Sequence, residues 1–123
     1  MDVTPLIPKG QQVIQQYRAG GFRIAGRDYH GAVIVTPQRS VPWAASAEAL
    51  SLSSFDALMP MARELDIVLL GTGARQLFIP PDLRVALKDR GVAVDVMDTG
   101  AACRTYNVLM AEGRRIAAAL LPC

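Results

Sequence analysis

Ile67-Val68-Leu69-Leu70-Gly71-Thr72-Gly73 is the stretch that decides the fold. Its first four residues are apolar with no alternation. A strand of this kind is covered on both faces, so it belongs in the middle of a sheet, typically a parallel one. The glycines then turn the chain into a loop. Downstream, Pro80-Pro81-Asp82 starts a helix, because proline is tolerated in a first turn and Asp82 sits near the positive end of the dipole. Leu83, Ala86 and Leu87 form its apolar stripe, and Gly91 stops it. Val92–Val96 reads as a strand, Asp98-Thr99 precedes a helix over roughly 100–112, and residues 115–121 form a last apolar strand. Strand, helix, strand, helix, strand is a βα repeat packed in layers.

Upstream, Phe55, Leu58, Met59 and Ala62 follow a helical period across 53–63, with Ser53 or Ser54 as cap and Pro60 as an interruption. Residues 37–52, which include Pro37 and Pro42, read as a loop. Before them, Val13–Arg18, Phe22–Ala25 and Tyr29–Thr36 read as three strands of an antiparallel meander joined by glycine turns. Residues 1–12 read as an irregular arm. The expectation is one α/β domain over 1–123, with an N-terminal β meander and a mixed layered sheet.

The chain has 123 residues, 51% hydrophobic and 20% charged, enough to bury a core without disulfides or metals. Its net charge is +2, and the densest cationic cluster is the pair Arg114-Arg115. Scattered cations do not make the clustered footprint of a nucleic-acid binder, so no nucleic-acid partner is expected. Two cysteines, Cys103 and Cys123, read as free thiols of a reducing compartment. The N-terminus lacks a basic start followed by an apolar run, and no apolar run approaches the ~20 residues that span a bilayer. These features lead us to expect a cytoplasmic protein that is not integral to a membrane. Whether an apolar strand such as Ile116–Leu121 pairs two copies at an edge or is fully covered stays open.

Two loops could carry chemistry. Gly71-Thr72-Gly73-Ala74-Arg75 follows a buried strand, yet it lacks the third glycine and the immediate helix of a dinucleotide fingerprint. It reads either as a tight exit turn or as an anion contact aided by Thr72 and Arg75. The second is the start of the last helix, with Thr99, Cys103, Arg104 and Asn107. There Cys103 is an inert thiol unless a base such as His30 meets it. One histidine and two distant cysteines cannot compose a zinc site, so neither a metal nor a cofactor is expected. Trp43 and Phe78 lie in loops, each either folded onto the core or exposed as a contact for a protein partner.

Three segments together carry a resemblance: Leu69–Gly73; Gly91–Thr99 continuing through Ala102-Cys103-Arg104-Thr105-Tyr106-Asn107-Val108-Leu109; and Glu112–Leu120. The chain resembles the small family that contains the mitochondrial respiratory complex I assembly factor 3, the adipogenesis-associated Mth938-like domain protein and many uncharacterised bacterial and archaeal members. The resemblance implies a three-layer α/β sandwich with a mixed central sheet, its last strand antiparallel, and a smaller β layer from the N-terminal half. It implies binding of protein partners during assembly of a membrane complex, with no established catalysis. Two function classes follow. One is a non-catalytic interaction module with Trp43 and Phe78 as contacts, held at the inner membrane through a partner if that partner is a membrane-complex subunit. The other is a small-ligand binder or enzyme whose Gly71, Thr72, Gly73, Arg75, Thr99, Arg104 and Asn107 converge on a cleft between loop 71–75 and helix 100–112.

Overall fold

The computed structural model describes residues 10–123. The expected arm therefore falls mostly outside the described residues. Among the described residues eight strands form two sheets: β1 (Ile14–Arg18), β2 (Gly21–Ile24), β3 (Arg27–His30), β4 (Val33–Val35), β5 (Ser40–Pro42), β6 (Ile67–Thr72), β7 (Val94–Met97) and β8 (Ile116–Leu121). The first three make an antiparallel sheet of their own, and the other five are ordered β5-β4-β8-β6-β7. Helix α1 (Pro81–Asp89) links β6 to β7, and α2 (Thr99–Ala111) links β7 to β8. A 3₁₀-helical segment, Leu52–Glu64, precedes β6.

The uniformly apolar strands take the central places. β8 lies between β4 and β6, parallel to β6 and antiparallel to β4, so the expected antiparallel pairing of the last strand is made on one side only. Its side chains alternate between two cores. Ala117, Ala119 and Leu121 join Phe55, Leu58, Leu83 and Leu87 on the face covered by the 3₁₀ segment and α1. Ile116, Ala118 and Leu120 join Cys103, Tyr106 and Met110 of α2, together with Phe22 and Ile24 of the small sheet, on the other face. Paired with β4 on one side and β6 on the other, β8 has no free edge with which to pair a second copy. Among the described residues no helix is long and apolar enough to cross a membrane.

Three local readings differ from expectation. The strand expected over Tyr29–Thr36 is two strands, because Gly31 takes φ +83° and swings the chain from the small sheet into the large one. The stretch 37–52 is not all loop: Ser40–Pro42 pairs with β4 as an edge strand, where a proline costs no ladder bond on its open side. The 3₁₀ segment starts at Leu52 with Ser51 as its N-cap residue, and the Ser51 N–H donates to Ser54 Oγ at 3.1 Å, so the cap lies two or three residues earlier than expected.

Trp43 follows β5 directly and turns inward. It is 7% exposed, its indole N–H donates to the Ser54 carbonyl at 2.6 Å, and its ring packs against Phe55 with centroids 5.6 Å apart. Of the two alternatives left open for Trp43, the structure has the ring folded onto the core, where it ties β5 to the 3₁₀ segment.

The turn between β2 and β3 holds Ala25 at φ 49° and Gly26 at φ 81°, the backbone of a two-residue hairpin in which both residues are left-handed. Alanine there opposes its own Cβ sterics. Replacing it to give Asn-Gly, the preferred pair, is expected to raise stability by about 0.5–1 kcal/mol in urea denaturation of Ala25→Asn, with no change in the denaturant slope.

Candidate functional site

The candidate residues collect around the end of β6 and the start of α2, but most of their polar atoms are used by the fold itself. Thr72 is 5% exposed. Its hydroxyl donates to the Arg75 carbonyl at 2.8 Å, with the Met97 carbonyl 3.2 Å away, and accepts the Leu77 N–H at 3.0 Å. Thr99 is fully buried; its hydroxyl donates to the Leu121 carbonyl at 2.6 Å and accepts the Gly73 N–H at 2.8 Å. One hydroxyl therefore joins the ends of β6 and β8 to the first residue of α2. Gly71 leaves the room this needs, since a Cβ there would stand 2.9 Å from Thr99 Oγ1.

The start of α2 is occupied by the chain's own groups. Asp98 caps it, its carboxylate accepting the Ala101 N–H at 2.8 Å, so the helix terminus already holds an anion. Tyr17 of β1 lies on Gly100 so closely that a Cβ at that glycine would come 2.9 Å from the phenol oxygen. That phenol accepts a bond from Arg104 at 2.8 Å. Asn107 sets its amide against the outer edge of β1: Oδ1 accepts the Ile14 N–H at 3.0 Å, and Nδ2 donates to the Ile14 carbonyl at 2.8 Å. Tyr106, one residue before, donates its hydroxyl to the Gln12 carbonyl at 2.8 Å. Asn107, Tyr106 and Tyr17 thus fasten the small sheet to α2.

The seven residues do not line one cleft. Arg104 and Asn107 border a groove of about 360 Å³ with Cys103 and Tyr17, whereas Thr72 borders a separate cleft of about 240 Å³ beside Phe78. Thr99 is sealed inside, and Arg75 is exposed on the loop after β6.

Cys103 is 2% exposed, and burial pushes its thiol up to about 12, away from the thiolate that would be nucleophilic. The other groups acting on it are Cys123, Arg104 and Asp98, while His30 is exposed on β3.

Phe78 stands apart from these inward-facing groups at 91% exposed, with Leu77 at 40% beside it. The loop carrying them is held at both ends, by Thr72 on the Leu77 N–H and by Ile79, buried at 7%. An aromatic ring is thereby presented to solvent on a braced loop, next to a cleft bordered by Leu50, Ile79 and Pro80. Sequence reasoning singled out Phe78. It missed Tyr17 and Tyr106, whose partners lie 87 and 94 residues away in the chain.

Comparison with known proteins gives a consistent set of relatives. The family model described as "Protein of unknown function (DUF498/DUF598)" matches residues 14–121. An uncharacterized protein of Rhodobacter capsulatus is 38% identical over 113 residues, covering 92% of this chain and 86% of that protein. The mouse (Mus musculus) NADH dehydrogenase [ubiquinone] 1 alpha subcomplex assembly factor 3 is 36% identical over 110 residues, or 89% of this chain, which spans only 60% of the length of that relative. The solution structure of a Bordetella pertussis protein described as a Mth938-like domain superposes with a TM-score of 0.80 at 27% identity, covering 99% of this chain and 92% of that one.

Two outcomes test this geometry. Asn107→Ala strips Ile14 of both backbone partners and is expected to lower stability by about 2 kcal/mol in urea denaturation. A thiol reagent at neutral pH is expected to label one cysteine per native chain, the exposed Cys123, and the second only after unfolding. The same burial sets a pH dependence. The folded chain retains the Cys103 proton that the unfolded chain releases near 9, so this contribution is complete below that pH and is lost as pH rises towards 12. Cys103→Ala is expected to flatten that part of the stability profile.

Proposed function

The chain belongs to the protein family of unknown function DUF498/DUF598, and from that membership we propose that it is a non-catalytic protein-interaction module that assists assembly of a respiratory or other membrane complex. The observation that carries the reading is Phe78, a large aromatic side chain 91% exposed on a loop braced by Thr72 and Ile79. Leaving such a ring in water forgoes roughly 2–3 kcal/mol of burial, and a partner's apolar surface recovers it. Bracing lowers the entropy cost of docking, because the loop needs little further ordering when the partner arrives.

The relative named as an assembly factor of NADH dehydrogenase supports the assembly role. The internal use of the Thr72, Thr99 and Asn107 side chains supports a scaffold over a reaction centre. In this reading the protein works in the cytoplasm and reaches the inner membrane through its partner, a subunit of the complex being built. Leu77, which lines the same cleft, and the exposed Arg75 earlier on the loop are taken as the rim of the contact.

Deleting the gene in the source cell and measuring membrane NADH oxidation together with the size distribution of the complex tests the reading. Loss of the mature complex is expected, restored by the parent chain and not by Phe78→Ser, a surface substitution expected to change stability by no more than about 0.5 kcal/mol. Full restoration by Phe78→Ser would remove Phe78 as the contact, and a membrane fraction unaffected by deletion would remove the assembly role.

A further inference from the structure

A cavity of about 540 Å³ lies at the end of the large sheet where β6 and β8 begin, opposite the end that carries Phe78. It opens between the turn joining β4 to β5, the end of the 3₁₀ segment and the turn that leads into β8. Its floor is apolar, with Met61, Leu65, Met110 and Ile116 among the lining residues, and the last two are only 2% and 1% exposed. Its rim is basic. Arg39, Arg114 and Arg115 line it against one carboxylate, Glu64. Asp66 lies beside two of these arginines, 2.9 Å from Arg115 and 3.9 Å from Arg114, and steadies them at the opening. Arg39 has no ion pair among the described residues, and the cations outnumber the carboxylates even with Asp66 counted.

We propose that this basin docks an acidic peptide segment of a second protein, whose apolar side chains enter between Met61, Leu65 and Met110 while its carboxylates meet Arg39, Arg114 and Arg115. Charge complementarity selects the sign of the occupant: desolvated guanidinium groups pair with carboxylates in a fixed, often bidentate geometry. Depth selects a peptide over a bilayer. A membrane surface is met by apolar side chains that project, and here they are recessed beneath a polar rim, so the occupant must insert side chains of its own. The volume suits a few such side chains, and methionine on the floor adapts to their shapes. This site is independent of the Phe78 surface, with which it shares no residue.

The test is an amide NMR titration of the full chain with a short peptide alternating Leu and Glu, with its counterpart carrying Lys for Glu as control. Shifts confined to Thr36, Arg39, Leu65 and the 113–116 turn are expected with the acidic peptide, and none with the basic one. Arg39→Glu replaces an exposed turn residue, so the remaining spectrum is expected to stay in place while the affinity falls about tenfold, and Arg39→Lys retains most of it. The proposal is overturned by an absence of shifts at millimolar peptide, by shifts elsewhere, by equal binding of the basic peptide, or by unchanged affinity in Arg39→Glu. Arg39-dependent binding to phosphatidylglycerol vesicles in place of the peptide would equally overturn it and assign the basin to a lipid surface.

Discussion

The architecture depends on the burial of β6 and β8 on both faces. Each strand sends successive side chains into different cores, so neither layer forms without the other. In β8 the small residues Ala117, Ala118 and Ala119 let helix and sheet approach from either side, and Ile116, Leu120 and Leu121 fill the ends. A polar substitution in the middle of either strand would meet apolar surroundings whichever way it pointed, at the cost of an unsatisfied group. Thr99 complements this packing: its hydroxyl satisfies backbone groups at the exits of both strands, where regular ladder bonding ends.

Polar side chains in this molecule act chiefly as fasteners. Thr72 shapes the loop after β6, Asp98 caps α2, and Asn107 stands in for a neighbouring strand along the open edge of β1. An edge strand left bare is a template for unwanted pairing, and a side-chain amide that bonds to both groups of Ile14 blunts it. The groups that face outward are of another kind: an aromatic ring at one end of the large sheet and arginines at the other.

Much of the fold was legible because it rests on local pattern. The unbroken apolar runs of β6 and β8 announced covered strands, and Pro81 with Asp82 announced a helix start. The break at Gly31 was harder to see, since Tyr29–Thr36 carries a strand-like composition throughout and only the glycine's positive φ separates the sheets. β5 was hidden by Pro42, which reads as a breaker unless the strand is known to be at an edge. The candidate site was legible in position and not in role. Thr99 and Asn107 were read as ligand contacts, and a hydroxyl or amide does not reveal in sequence that its partner is a main-chain group, here 22 and 93 positions away. Trp43 was ambiguous for the same reason, its indole being claimed by a carbonyl eleven positions on.

β6 and β8 each run six residues in parallel, roughly 17 Å from the arginine end to the aromatic end. With both proposed contacts engaged, that separation would make the sheet a spacer. Two bodies gripped at its opposite ends would be held at a fixed distance and orientation without touching each other, and each would raise the local concentration of the other. A lineage could also remodel one end of the sheet while the other stayed intact, since the two clefts share no lining residue.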